Sequence, residues 1–545
     1  MASEKCIFRG PPLPNEVPAK SLGRLFYNVL ERSPNNVFLV DVTARRELTG
    51  KCLLAASVNL ASTLKTFGLG KGDMVGIVSP STWKYAVCIF ANAFLGVTIA
   101  GTNPNYLKVF FPDDLTHFLV KTHPRVIFVT TCVYERVRED LHQHHPYVEK
   151  VIILDSSVSE RNVLSFNTVI QGHEQTESIE IAEANDDDPV SVLFSSGTTG
   201  LPKAVPFSQK ALKTIITIAN FSSPNYIAIT ESTTTLVIPP FFHIFGLLFL
   251  VSCIIGKGKV IIMEKFKPDL FLQSIEKYKV TLLPLVPSLM VFMVKSPLVD
   301  EYVISSVKDA FCGGAPIGVD LEKQFSNKVN NVQPRQAYGL TEAGIRIYVY
   351  IVSLIYPGSY KPGSVGKLTP TVELKIIDSD SKKVLKLNQP GEICVKGPTI
   401  MKSYLNDEEV SEKDIDSDGF LYTGDLGFIS EDGYLFIVDR IKEVIKYKGF
   451  QVPPAQLEDR LLKHPGVKEA AVVGKPDAKA GELPTAFVVK QENATVTAQE
   501  LIDLIAEHFH EDKRLHGGVI FIDEIPKTAT GKLARKALRD LVRQY

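Results

Sequence analysis

The sequence predicts an α/β fold: a large N-terminal domain of parallel and mixed sheets with flanking helices and an antiparallel subdomain, followed by a small mobile α+β C-terminal domain. A chain of 545 residues is long enough for two to four domains. Buried apolar strands alternate with helices up to about residue 360, which is typical of a parallel sheet with crossover helices. Beyond that point the strands shorten and turns crowd together, which favours antiparallel sheet.

The first half of the chain shows the alternation most clearly. Apolar spacing predicts helices over 21–32, 53–67 and 83–95. Short apolar runs predict buried strands over 37–42, 74–78, 97–101, 126–129 and 151–154. An acidic linker over 185–188 precedes a further strand over 189–194. Together these elements predict one parallel sheet with helices between its strands.

The same pattern then repeats toward the C-terminus. It predicts helices over 209–220, 244–255, 270–277 and 288–294, and strands over 235–238, 260–263 and 281–285. A compact α+β tail begins at Arg440, with helices over 454–463 and 498–508 and strands over 469–473 and 486–490. We therefore expect domains over 1–439 and 440–545.

Composition narrows the classes of protein. Hydrophobic residues make up 45% and charged residues 22%, as in soluble globular proteins. A net charge of −1 gives no general attraction to nucleic acid, so no nucleic-acid partner is expected. Seven cysteines are scattered without a Cys-x-x-Cys pair, which predicts free, mostly buried thiols in a reducing compartment.

Targeting signals are not evident in the sequence. The N-terminus has no apolar signal core, and the apolar stretches over 246–255 and 347–356 are too short to span a bilayer. The chain ends Arg543-Gln544-Tyr545 rather than in a Ser-Lys-Leu type of peroxisomal address. We expect a cytoplasmic protein, with a peroxisomal location as the alternative. Peripheral membrane contact and the oligomeric state stay open.

The stretch 195–205, Ser-Ser-Gly-Thr-Thr-Gly-Leu-Pro-Lys-Ala-Val, follows a predicted buried strand. Gly197 and Gly200 leave main-chain amides free to approach an anion, and Lys203 adds a cation. Hydroxyl donors come from Ser195, Ser196, Thr198 and Thr199. The spacing is not that of a Walker A loop, which places four residues between the glycines. The loop therefore suits a polyphosphate, with an ordinary polar turn as the alternative.

Seven further motifs follow the loop in order along the chain. They are Phe242-His243-Ile244-Phe245-Gly246, Gly313-Gly314-Ala315-Pro316, Gln336-Ala337-Tyr338-Gly339-Leu340-Thr341-Glu342, Tyr422-Thr423-Gly424-Asp425, Val438-Asp439-Arg440, Ile445-Lys446-Tyr447-Lys448-Gly449-Phe450-Gln451 and Pro526-Lys527-Thr528-Ala529-Thr530-Gly531-Lys532. Together with the loop they resemble the acyl-adenylate-forming superfamily, which includes acyl-CoA synthetases, 4-coumarate–CoA ligases and beetle luciferases. The resemblance covers nearly the whole chain. One departure is Ala204, where the family usually has Gly.

The resemblance implies a site for ATP and AMP. It assigns nucleotide contacts to Ser195, Ser196, Gly197, Thr198, Thr199, Gly200, Lys203, Gly314, Ala315, Gln336, Tyr338, Gly339, Thr341, Asp425, Arg440 and Lys532. Glu342 is the implied Mg²⁺ ligand, since Mg²⁺ takes one or two carboxylates beside phosphate oxygens. Taken alone, Tyr338 is also compatible with a core aromatic and Asp425 with an ordinary Gly-Asp turn.

The resemblance also implies a carboxylic acid and coenzyme A as the other substrates. The acyl pocket would be formed by His243, Phe245, Gly313, Gly314 and Gln336, and coenzyme A would contact Lys446, Lys448, Gly449 and Gln451. The implied catalytic residues are His243, Thr341, Lys446 and Lys532, and the implied hinge is Lys442. Without the resemblance, His243 fits a buried core histidine. It is not expected to bind a metal, because no second ligand stands at metal-binding spacing.

The leading hypothesis is an ATP- and CoA-dependent ligase of a hydrophobic acid, either a fatty acid or a 4-coumarate-like aryl acid. Three alternatives remain: a luciferase-like monooxygenase, a non-catalytic acyl or nucleotide binder, and an adenylation domain that serves a carrier protein. No carrier domain follows Tyr545, which disfavours the last of these. The segment 343–357 is unusually apolar and longer than expected, so the acid itself stays open.

Overall fold

The computed structural model describes residues 6–13, 20–104, 113–157, 162–171, 179–195, 202–220, 229–315, 317–341, 361–407, 414–528 and 531–545. The strands in this part of the chain are β1 (Phe8–Arg9), β2 (Val37–Asp41), β3 (Arg46–Thr49), β4 (Met74–Val78), β5 (Thr98–Thr102), β6 (Val126–Val129), β7 (Lys150–Ile153), β8 (Val163–Ser165), β9 (Pro189–Ser195), β10 (Lys203–Ser208), β11 (Thr234–Val237), β12 (Lys259–Ile262), β13 (Leu282–Leu285), β14 (Asp309–Gly313), β15 (Arg335–Ala337), β16 (Glu373–Ile377), β17 (Gly391–Lys396), β18 (Leu421–Ile429), β19 (Leu435–Arg440), β20 (Ile445–Tyr447), β21 (Phe450–Val452), β22 (Val467–Asp477), β23 (Gly481–Lys490) and β24 (Val519–Phe521).

The helices flank these strands. They are α1 (Leu22–Arg32), α2 (Gly50–Thr66), α3 (Trp83–Leu95), α4 (Asp113–Thr122), α5 (Thr131–His144), α6 (Phe166–Gln171), α7 (Gln209–Asn220), α8 (Ile244–Ile255), α9 (Pro268–Tyr278), α10 (Pro287–Lys295), α11 (Val319–Lys328), α12 (Pro454–Leu462), α13 (Ala498–His508) and α14 (Arg535–Val542). Among the described helices, none combines the length and apolar character needed to cross a bilayer.

Two seven-stranded sheets form the centre of the large domain. The first has the order β10-β9-β5-β4-β6-β7-β8, and the second has the order β15-β14-β13-β11-β12-β2-β3. Both are parallel except at one edge, where β10 runs antiparallel to β9 and β3 antiparallel to β2. Helices link the parallel strands, as right-handed crossover connections require. The α/β class predicted from the sequence is confirmed.

A third sheet is antiparallel, with the order β1-β16-β17-β18-β19. The last sheet, β21-β20-β23-β22 with β24 beside β23, belongs to the C-terminal part of the chain. The buried apolar side chains around this sheet all come from residue 445 onward, so this part of the chain has its own core. β19 continues the third sheet through Arg440, and the next sheet begins at Ile445.

Element bounds follow the local sequence closely where capping signals are strong. α3 runs over Trp83–Leu95 as predicted, because the Thr82 hydroxyl accepts from the amide of Tyr85 and Gly96 ends the helix with φ +69°. α8 likewise spans the predicted 244–255. The sequence patterns do not predict β1, β3, β8, β10, β14, β15, β20, β21 or β24, and Lys203–Val205 lies in a strand rather than in the loop.

The cysteines agree with the prediction of free thiols. All seven are unpaired, and Cys88, Cys253, Cys312 and Cys394 are buried. Cys52 and Cys132 are exposed and Cys6 is partly buried, so the predicted burial holds for four of the seven cysteines.

Candidate active site

Three of the predicted motifs follow the carboxyl ends of neighbouring parallel strands in the second sheet. His243 comes after β11, Gly314 after β14 and Tyr338 after β15. The carboxyl ends of parallel strands meet at one edge of a sheet, which is where ligands bind in open α/β folds. The sheet therefore brings together residues that are almost a hundred positions apart in the chain.

His243 is held by the start of α8. It is the N-cap residue, and its Nδ1 accepts a hydrogen bond from the amide of Phe245 at 3.3 Å. Acceptance at Nδ1 places the ring proton on Nε2. Gly246 is required because a Cβ there would lie 2.2 Å from the carbonyl oxygen of Pro239. Burial, with Lys532 nearby, lowers the pKa of His243 to about 3, so the ring is neutral.

The glycine pair at the end of β14 leaves space for the side chain of Lys532 from the small domain. Gly313 is the last residue of the strand and Gly314 has φ +100°. A Cβ added to Gly314 would lie 3.0 Å from Cε of Lys532. A larger residue at this position would therefore displace the lysine as well as strain the backbone.

Lys532 is presented by a short hairpin at the end of the chain. Lys527 and Leu533 form a bridge, and the Thr528 amide donates to the Lys532 carbonyl at 2.7 Å. The adjacent Gly531 has φ +78° and lies against Val286 and Ser288, just past β13. The hairpin thus docks on the same sheet edge that carries His243 and Gly314.

The opposite side of the site is a buried polar cluster. The Tyr338 hydroxyl donates to Oδ2 of Asp425 at 2.6 Å, and Nε of Arg440 lies 3.4 Å from Oδ1. Asp425 and Arg440 are register partners on β18 and β19, so the third sheet fixes their spacing. Burial raises the pKa of Asp425, whereas Arg440, Tyr338 and Lys532 oppose that rise. The result is an oriented carboxylate beside a tyrosine ring.

Lys532 acts electrostatically on both sides of this edge. Its charge contributes to the lowered pKa of His243 and opposes the raised pKa of Asp425. One cation from the small domain therefore acts on both the histidine and the carboxylate, and it would stabilise negative charge that develops on a ligand bound at this edge.

Gln336, in β15, forms hydrogen bonds within the protein. Its Nε2 donates to the Ile317 carbonyl at 3.2 Å and to Oε1 of Glu322 at 2.9 Å. Its Oε1 accepts from the amide of Ile317 at 3.2 Å. These bonds tie β15 to the start of α11, so in this structure the amide braces the loop after β14. A direct contact of Gln336 with either ligand stays a prediction.

The base of the predicted phosphate loop is built from two antiparallel strands. Ser195 ends β9 and pairs in register with Lys203 at the start of β10. The Ser195 hydroxyl is buried and has no hydrogen-bond partner among the described residues. A buried donor without a partner, at the residue that precedes the loop, suits an anionic ligand there. Ala204 is buried in a hydrophobic core cluster.

Lys203 has a partner in this structure that no sequence pattern predicts. Its Nζ lies 3.0 Å from Oδ2 of Asp414 and 4.4 Å from the centre of the Tyr404 ring. Tyr404 also donates to Asp414 at 3.2 Å. Asp414 lies more than two hundred residues downstream, and no local pattern links it to Lys203.

The predicted coenzyme A residues lie on a separate hairpin formed by β20 and β21. Lys446 pairs with Gln451, and the turn residues Lys448 and Gly449 have φ +47° and +84°. Two central residues with positive φ are typical of a tight type I′ turn. Lys446, Lys448, Gly449 and Gln451 are all exposed, as is the predicted hinge residue Lys442.

Some predicted residues cannot be placed. Ser196, Gly197, Thr198, Thr199, Gly200 and Glu342 lie outside the described residues. Thr341 is described and buried, and Gly339 and Ala315 lie at the same strand ends as Tyr338 and Gly314. Elsewhere in the described chain, no group of three or more His, Cys, Asp or Glu side chains could hold a metal.

Comparison with protein families matches two models. Residues 26–405 match the AMP-binding enzyme family, and residues 456–532 match the AMP-binding enzyme C-terminal domain. A probable 4-coumarate–CoA ligase 3 of Dictyostelium discoideum is 36% identical, with 96% of each chain covered. Luciferin 4-monooxygenase of Photinus pyralis is 34% identical, with 99% of this chain and 98% of the relative covered.

Solved structures agree on the fold. The anthranilate CoA ligase AuaEII in complex with anthranoyl-AMP has a TM-score of 0.86 at 24% identity, with 98% of each chain covered. ATP-bound MatB from Rhodopseudomonas palustris has a TM-score of 0.82 at 24% identity, with 96% of this chain and 99% of MatB covered. With a family model over most of its length and full-length relatives above one-third identity, the chain belongs to the AMP-binding enzyme family.

Proposed function

We propose that this protein is an ATP-dependent acid–CoA ligase. The observation that carries the proposal is the docking of the Lys532 hairpin on the sheet edge that holds His243 and Gly314. The relatives named as 4-coumarate–CoA ligases from Dictyostelium and Nicotiana tabacum support the same class of reaction. The substrates are a carboxylic acid, ATP and coenzyme A.

In the first half-reaction a carboxylate oxygen attacks the α-phosphorus of ATP. A new P–O bond forms, the bond between the α-phosphorus and the bridging oxygen breaks, and pyrophosphate leaves. Neutral His243, with its proton on Nε2, orients the carboxylate without becoming a competing cation. Lys532 neutralises charge between the carboxylate and the α-phosphate, which is the main task of a protein in phosphoryl and nucleotidyl chemistry.

The nucleotide is held by the buried polar cluster and the phosphate loop. The Tyr338 ring offers a stacking face for adenine, and Asp425 accepts hydrogen bonds from ribose hydroxyls. Lys203 exchanges Asp414 for the phosphates when ATP binds. Glu342 would hold Mg²⁺ with phosphate oxygens, a donor set that suits this ion, and the bound ion would neutralise phosphate charge.

In the second half-reaction the thiol of coenzyme A attacks the acyl carbonyl. A C–S bond forms, the C–O bond to AMP breaks, and the thiol proton is released. Lys446 serves this step. The path of the thiol is bordered by Lys448, Gly449 and Gln451. Because Lys446 lies on another hairpin than Lys532, the small domain rotates about Lys442 between the two steps, a form of gating by domain movement.

The acid is hydrophobic. Aromatic rings line the first turns of α8 beyond His243: Phe245 and Phe249 have ring centres 5.3 Å apart, and Phe249 and Phe311 are 5.9 Å apart. Such a wall favours an aryl or aliphatic acyl group over a polar one.

The test is to supply ATP and Mg²⁺ with a panel of fatty acids and cinnamic acids, and to measure pyrophosphate, AMP and thioester with and without coenzyme A. We expect pyrophosphate release with one class of acid and thioester formation only with coenzyme A. Pyrophosphate release with no thioester would contradict the ligase. Light emission from a luciferin-type acid, without thioester, would support a monooxygenase instead.

A further inference from the structure

A lysine outside the predicted motifs joins the two domains. Lys295 is the last residue of α10, in the large domain, and its side chain is partly buried. Its Nζ donates to the carbonyl of Leu462 at 3.0 Å and to the carbonyl of Val467 at 2.6 Å, both in the small domain. Burial lowers the pKa of Lys295. The described hydrogen bonds of this desolvated ammonium group both go to main-chain carbonyls.

The two acceptors explain why a cation is suited to this position. Leu462 is the last residue of α12, and the last four carbonyls of a helix have no partner within it. The C-terminal end of a helix also carries partial negative charge, which a nearby cation stabilises. Lys295 itself lies in the last turn of α10, where a cation is also favoured, and its ammonium group binds the C-terminal end of a helix in the other domain.

Neighbouring contacts show that the C-terminal end of α12 is docked on the large domain. Lys463 forms an ion pair with Asp320 of α11. Gly318, which precedes α11, lies so close to Asp459 that an added Cβ would overlap its carboxylate. Both Asp459 and Lys463 belong to the end of the chain that also carries Lys532. Lys295, Asp320 and Gly318 therefore form one large-domain surface for α12.

We propose that Lys295 is a latch that holds the small domain in the arrangement that places Lys532 on the sheet edge. This inference rests on the proposed two-step function. The latch stabilises the arrangement for the first half-reaction and has to release before Lys446 reaches the same edge. Lys295 is thus a positioning residue that acts through Lys532 and touches no substrate.

The experiment separates the two half-reactions in K295M, which keeps the length of the side chain and removes its donors. Adenylation is measured as pyrophosphate release from ATP and the acid, and thioester formation is measured from chemically prepared acyl-adenylate and coenzyme A. We expect adenylation to fall about tenfold, because two charge-assisted hydrogen bonds to main-chain carbonyls are lost. Thioester formation should be unchanged or faster. K308M, at an exposed lysine of the same domain, is the matched control and should change neither rate.

K295R tests whether donation, rather than packing, is what matters. Arginine retains several donors, so it should restore adenylation to within about threefold of the wild-type rate. An equal loss of both half-reactions in K295M, with K295R equally impaired, would overturn the latch and indicate a role in folding.

A second readout does not depend on activity. Small-angle X-ray scattering of the ligand-free protein should give a larger radius of gyration for K295M than for wild type or K308M, because the released domain samples open arrangements. If no acid is activated by the wild type but scattering still shows this change, the proposed function fails and the latch stands. Identical scattering curves for K295M and wild type would overturn the latch.

Discussion

Two short hairpins of the small domain carry the two lysines assigned to the reaction, and they differ in their contacts. The hairpin from Lys527 to Leu533 is docked: Gly531 lies against Val286 and Ser288, and Lys532 reaches Gly314. The hairpin of β20 and β21 points to solvent, with Lys446 and the turn residue Gly449 exposed. One arrangement of the small domain thus presents one lysine to the sheet edge and leaves the other outside.

Under the proposed two-step function, this difference indicates that the two hairpins serve different steps. The observed placement of the small domain brings only the docked hairpin to the sheet edge, so the proposed function requires a second placement for the exposed hairpin. Substitutions that affect one hairpin should therefore change one half-reaction and spare the other.

The largest effect is expected for K532M. It removes the only cation that acts on both His243 and Asp425 in the described electrostatic contacts. Loss of one such group in the transition state costs about 100-fold to 1,000-fold in rate. Pyrophosphate release with saturating acid should fall by about 100-fold or more. A decrease of less than fivefold would contradict the placement of Lys532 at the reacting groups.

D425N should raise the KM for ATP about tenfold, because it weakens the charge-assisted hydrogen bonds that Asp425 is proposed to accept from the ribose hydroxyls. Y338F, which removes only the hydroxyl that donates to Asp425, should have a smaller effect. The measurement is the ATP dependence of adenylation, with thermal melting of both variants as the control for folding. An unchanged KM in folded D425N would exclude Asp425 from nucleotide binding.

G449A should slow only the second half-reaction, by about fivefold. Gly449 has φ +84° and open space around it, so alanine fits but strains the backbone by about 1 kcal/mol. G433A is a matched control, because Gly433 has φ +80° and equally open surroundings in a turn of the third sheet. Thioester formation from acyl-adenylate should decrease in G449A alone. Equal effects of the two variants would argue against the β20–β21 hairpin in this step.

The smallest expected effect is a change in the pKa of His243. The pKa of His243 is lowered to about 3, so its ring stays neutral and its contribution to adenylation persists from pH 8 down to pH 5. That contribution is lost only as the pH falls toward this pKa. Because the charge of Lys532 contributes to the lowering, K532M should raise the pKa. Histidine-selective NMR measures this pKa, and H243Q assigns the His243 resonance. If the His243 resonance of the wild type titrated near pH 6.5, it would contradict the buried neutral ring.

Local signals predicted much of the fold. α8 and α3 are predicted at their observed bounds because each is an almost uniformly apolar run that begins directly after its capping residue. β10 was missed because its first residues belong to a Gly- and Pro-rich loop and its pairing with β9 is decided by tertiary structure. β1 was missed for a similar reason, since Phe8 pairs with Leu374 across most of the chain. Two-residue strands with such distant partners have no periodicity to detect.

In the candidate site, too, residues in local motifs are predictable from the sequence, whereas contacts between distant segments are not. The motif residues His243, Gly314, Tyr338 and Lys532 were predicted, and the structure brings them to one sheet edge. Asp414 and Lys295 were not, because an isolated charged residue gains its partner only when distant segments meet. Their contacts are set by the docking of whole elements, which sequence spacing does not encode.

The most direct test of this account supplies chemically prepared acyl-adenylate and coenzyme A to K532M and K446M and compares thioester formation. Both variants remove an ammonium group from one of the two hairpins, so each serves as the control for the other. We expect K532M to form thioester at close to the wild-type rate and K446M to be strongly impaired. Strong impairment of K532M, or normal activity of K446M, would contradict the assignment of the two hairpins to two separate steps.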